Sequence, residues 1–142
     1  MGKYIGESVL RKEDPRLVTG EAKYLEDIQL SGMVHAVVKR IDYAHAKIKN
    51  IDTSEAEKVP GVIGVWTGKD FEDVNPMPCA WQAGGVDNNA NTPRVLEIDK
   101  VTFTGQGVAV VVAEDRNIAE DASSKIVVDY EELPTVISAE EA

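Results

Sequence analysis

The chain has 142 residues, 43% hydrophobic and 28% charged, the profile of one soluble globular domain whose core needs no disulfide or metal to hold it. Fifteen basic and 25 acidic residues leave a net charge of −10, with −8 of it on residues 97–142, so nucleic acid and anionic membranes are excluded as sequence-independent partners. Cys79 is the only cysteine, which rules out an intrachain disulfide and any Cys-x-x-Cys site and points to the cytoplasm.

At the N-terminus, Arg11, Lys12, Glu13, Asp14 and Arg16 crowd around Pro15, and residues 1–20 read as a polar, irregular arm. Lys3 and Glu7 interrupt this end before any apolar run, so no signal peptide is expected. Met33 to Val38 is a short apolar run, and Ala44, Ala46 and Ile48 then alternate with His45, Lys47 and Lys49, the signature of paired, half-buried strands. Asp52 followed by Glu55 resembles a capping box, and Pro60-Gly61 limits the helix it would open to about one or two turns. Val62 to Trp66, rich in β-branched residues, predicts a third strand, buried with its tryptophan. Residues 74–96 dissolve into Asn, Gly, Pro and Ala and predict a long loop, a feature that in compact domains is often functional or ordered by a partner.

Regularity returns at Lys100 to Phe103 and at Val108 to Ala113, the longest apolar run and far too short to span a bilayer. From about Asp115, Ile118, Ala119 and Ala122 share one helical face, and Lys125 to Tyr130 predicts a last strand with Ile126 and Val128 on its buried side. Local strand pairs with two short helices, and no regular βαβα alternation, give an α+β fold with a mixed sheet, forming one domain over residues 1–142.

None of the chemistry-bearing motifs is complete. Gly105-Gln106-Gly107 lacks the third glycine of a dinucleotide fingerprint and is followed by an apolar strand where a helix is required; a turn into that strand is the better reading. Asp87 to Asn91 begins like a calcium loop, but Thr92 stands at the turn glycine and Ile98 at the bidentate glutamate. His35, inside an apolar run, reads as a core imidazole, and His45 as a surface or interface hydrogen-bonder. Neither Ser54 nor Cys79 lies in a nucleophile motif. Trp81, in the long loop, reads either as an interface anchor or as a plug of its own domain.

One resemblance covers essentially the whole chain. Arg11 to Gly20, Tyr24, Asp27-Ile28 and Gly32-Met33 resemble the opening of molybdenum hydroxylase large chains, the family of xanthine dehydrogenase, aldehyde oxidase and aerobic carbon monoxide dehydrogenase. Ala44 to Ala56 with Val59-Pro60-Gly61-Val62 is similar to the most recognisable stretch of their N-terminal domain. Lys100-Val101, Gly105-Gln106, Val112-Ala113-Glu114, Ala119 to Ala122 and Val128 to Pro134 follow in the family's order. Pro76 to Trp81 leans towards the carbon monoxide dehydrogenase branch. There are departures: Ile41-Asp42-Tyr43 replaces a small-residue turn after Arg40, and Gly107 stands where the family often has proline.

The resemblance implies an α/β hammerhead domain. It places the molybdopterin-binding domains, the glutamate base and the glutamine near the metal downstream of this region, so none of those roles carries over, and Gln106 matches a hammerhead position instead. The chain is therefore expected to have no catalytic, cofactor-binding or metal-binding residues of its own and not to be catalytically competent alone. Molybdopterin and iron–sulfur clusters belong to the assembled enzyme, and the implied partners are the molybdopterin-binding remainder of the large subunit and the iron–sulfur and flavin subunits. His45, Lys47 and Lys49 on one strand face, with Trp81, are the candidate interface. The rival reading is a free-standing protein-binding module that kept the fold without the enzyme.

Overall fold

The computed structural model describes residues 4–78 and 92–141, in two compact units, residues 1–33 and 34–142. The first contains a helical turn, α1 (Asp14–Val18), and a 3-10 turn at Leu25–Asp27 closed by the Tyr24 N–H donating to Asp27 Oδ2 at 2.8 Å. The N-terminal arm is thus more regular than its composition suggests. Pro15 stands in the first helical turn, where its fixed φ favours the helix and its missing N–H costs nothing. No described residue of this unit is buried.

The second unit contains β1 (His35–Arg40), β2 (Ala46–Asp52), α2 (Ser54–Glu57), β3 (Val62–Thr67), a 3-10 turn at Gly68–Phe71, β4 (Lys100–Val101), β5 (Gly107–Ala113), α3 (Arg116–Ser124) and β6 (Val127–Glu132). The α+β class is the one the sequence predicts. The strands, however, form two antiparallel sheets, ordered β1-β5-β3 and β4-β2-β6, in place of a single mixed one.

The main cluster lies between β5 and the helices: Ala109, Val111 and Ala113 meet Ala56 of α2, Ala119 and Ala122 of α3, and Ile126. A second gathers Ile41, Ala46, Val101 and Val108, and Ile51 and Val128 pack against both. A register shift in β2 between Ile48 and Asn50 lets Ile48 and Ile51 both pack inward despite their odd spacing.

The local signals act as follows. Asp115 caps α3 by accepting from the Asn117 N–H at 2.8 Å. Asp52 Oδ1 accepts from the Ser54 N–H at 3.0 Å, but Glu55 pairs with Lys58 at 2.6 Å, so only half of the predicted capping box forms. Gly61, at φ +91°, turns the chain from α2 into β3.

Candidate functional site

Lys47 and Lys49 stand exposed on the outer face of the β4-β2-β6 sheet. Lys47 lies opposite Glu131 on β6 and Lys100 on β4, and Lys49 Nζ is 3.4 Å from Glu131 Oε2. Both ends of that ion pair are about half exposed, so it contributes little stability.

His45 is engaged elsewhere. Half-buried just before β2, it brings Nδ1 to 2.7 Å from the Pro134 carbonyl, and since a carbonyl only accepts, Nδ1 carries the proton. The Leu133 N–H donates to the His45 carbonyl at 3.0 Å. His45 therefore tacks the segment after β6 onto the start of β2, beside a shallow groove of about 500 Å³ lined by Ala44, Phe103, Pro134, Val136 and Ile137 among others. Trp81, Cys79 and Asp87 to Asn91 lie outside the described residues. The structure thus puts the two lysines together and gives His45 a separate structural bond.

Gln106 is the hub of the turn that launches β5. Buried to 5% exposure, it accepts at Oε1 from the Thr102 and Phe103 N–H groups and donates through Nε2 to Glu97 Oε1 at 2.9 Å. Glu97 Oε1 also accepts from the Arg94 N–H at 3.2 Å. Burial pushes the Glu97 carboxyl above its ordinary pKa, opposed by the Arg94 N–H and guanidinium. Beside this network lies a cavity of about 360 Å³. The Tyr43 and Tyr130 rings meet tilted by 47° with centroids 4.9 Å apart, and burial, with Asp42 and Tyr43 nearby, pushes the Tyr130 phenol up to about 12.

Trp66 corrects the sequence reading. It is 36% exposed, on the outer face of the edge strand β3, not buried within a sheet. The register aligns Val38, Val110 and Trp66 in one row across the sheet, and Ala36, Val112 and Gly64 in the next. The signal for this face was present in Val108 to Ala113, which is apolar at every position and so does not distinguish a wet side from a dry one.

The residues present do not fit the redox groups of the resembled enzymes. One cysteine cannot supply the thiolates of an iron–sulfur cluster, and the Gln106 amide is spent inside its own turn. Among the described residues, no three His, Cys, Asp or Glu side chains converge on a metal position.

Residues 19–134 match the family described as "Aldehyde oxidase and xanthine dehydrogenase, a/b hammerhead domain". The carbon monoxide dehydrogenase large chain of Afipia carboxidovorans is 42% identical over 127 residues, 89% of this chain and 15% of its own length. The nicotine 6-hydroxylase large subunit of Paenarthrobacter nicotinovorans is 42% identical over 134 residues, covering 94% of this chain and 16% of that subunit. The crystal structure of quinoline 2-oxidoreductase from Pseudomonas putida 86 superposes with a TM-score of 0.82 at 43% identity, over 96% of this chain and 17% of that one. The chain spans about one-sixth of the length of these relatives. Match and superposition agree on the fold and the lineage: the chain belongs to the α/β hammerhead family of the molybdenum hydroxylase large chains.

Proposed function

We propose that this chain is the non-catalytic docking portion of a molybdenum hydroxylase large chain, acting in the cytoplasm. It packs against the molybdopterin-binding remainder of that chain and helps seat the iron–sulfur and flavin partners, so that electrons leaving the molybdenum have a fixed route. The redox groups reside in the assembled enzyme.

The observation that supports this reading most directly is the match over residues 19–134, in a chain that covers only 15–16% of relatives named as a large chain or large subunit. Relatives named for nicotine, carbon monoxide and xanthine all contain this domain, which favours a role common to them over substrate selection. The test is to co-express this chain with the downstream large-chain polypeptide and assay the purified material for molybdenum and dye reduction. Co-purification with activity is expected. An active partner that never associates with this chain would sink the docking role.

A further inference from the structure

Strand β5 reads Gly-Val-Ala-Val-Val-Val-Ala and is apolar on both faces. Such a pattern belongs to a strand covered on both sides, whereas a strand with one wet face alternates. In this structure Ala109, Val111 and Ala113 pack into the cluster beneath α2 and α3, and Val108 at the start of the strand packs into the second cluster, while Val110 and Val112 stay partly exposed. The other side presents the rows Val38, Val110, Trp66 and Ala36, Val112, Gly64, without a charged residue in either.

The tryptophan ring lies along this surface. A Cβ at Gly64 would come within 2.5 Å of it, so the glycine is the platform the ring rests on. Ile63, at the β3 register shift, is 54% exposed and lines one groove with Trp66 and Glu57, and Val38 at the opposite edge is 37% exposed. The outer face of the other sheet, with Lys47, Lys49, Asp129 and Glu131, is patterned for water.

We propose that the outer face of the β1-β5-β3 sheet, and not the lysine-bearing face, is the docking surface, and that its occupant is the molybdopterin-binding remainder of the large chain. This rests on the docking role proposed above. The occupant follows from length and charge. Relatives carry this domain as 15–17% of a longer chain, most of which lies outside this structure and is available to cover the face. A second copy would bring a further net charge of −10 against the first, which opposes self-pairing. Trp66 is the anchor, the residue type that most often dominates such contacts.

The test measures binding of the molybdopterin-binding polypeptide to the wild-type chain, to Ile63→Lys/Trp66→Lys, to Val38→Lys, and to Lys47→Glu/Lys49→Glu. Circular dichroism and urea midpoints check that each variant is folded. The two apolar-face variants, on opposite edges of the sheet, should each weaken binding by about tenfold or more, and the lysine-face variant should change it by less than about threefold. If one apolar-face variant fails to fold, the other carries the measurement. Undiminished binding by folded apolar-face variants overturns this face and leaves the docking role standing. A wild-type chain that binds nothing overturns both. Self-association of the wild type, abolished by the same substitutions, makes a second copy the occupant and overturns the assignment.

Discussion

Glu97 receives two donors on one oxygen, the Arg94 N–H and the Gln106 amide, yet burial holds its carboxyl above the ordinary value of 4.5, outweighing the Arg94 N–H and the Arg94 charge. For an acid whose folded pKa is raised, the stabilising protonated form is complete below 4.5 and lost as pH rises through the folded value. Glu97→Gln keeps an acceptor oxygen and removes the charge. It should therefore unfold at a higher temperature than the wild type at pH 7, with the gap closing as pH falls below 4.5; parallel melting curves across that window check it. Such a residue is invisible to composition. Gln106 reads as one letter of a turn motif, and its bond to Glu97 depends on the turn before β5 closing back onto residue 97, which spacing alone does not reveal.

At the scale of elements, α3 is the clearest case of local chemistry agreeing with tertiary packing. Asp115 supplies the cap, and Ala119 and Ala122, both fully buried, let the helix lie close on β5. Asp115→Ala should cost about 1 kcal/mol, read from urea unfolding at neutral pH. The elements with strong periodicity or punctuation were legible: β2, β3, β5, α3 and β6 all begin within about two residues of where alternation, Pro-Gly or the cap puts them. Their arrangement was less so. Assignment to two sheets depends on pairings between residues far apart in the chain, and β4 shrinks to Lys100–Val101 because β2 offers it only Ala46 and Lys47. Trp66 was misread because a β-branched run looks the same at a sheet's edge as at its centre. The lysine face was legible as a face, but its charge balance became apparent only when β6 placed Glu131 opposite.

For the molecule as a whole, stability is unevenly distributed. The described part of residues 1–33 contains no buried residue, while residues 34–142 have the whole core. Limited trypsin digestion should cut first after exposed Lys12, Arg16 or Lys23 and leave a resistant fragment beginning beyond them; segment 79–91 has no Lys or Arg to compete. First cleavage within β1, β2 or β6 would contradict that order. The strand order also sets a timetable for synthesis. Both β1, at residues 35–40, and β3, at residues 62–67, pair only with β5, at residues 107–113. Until that late segment leaves the ribosome, neither has its native partner, and Val38 and Trp66 travel on unpaired strands. The apolar surface assigned to docking is therefore exposed twice in the life of the chain, first to whatever guards nascent polypeptides and only afterwards to its partner.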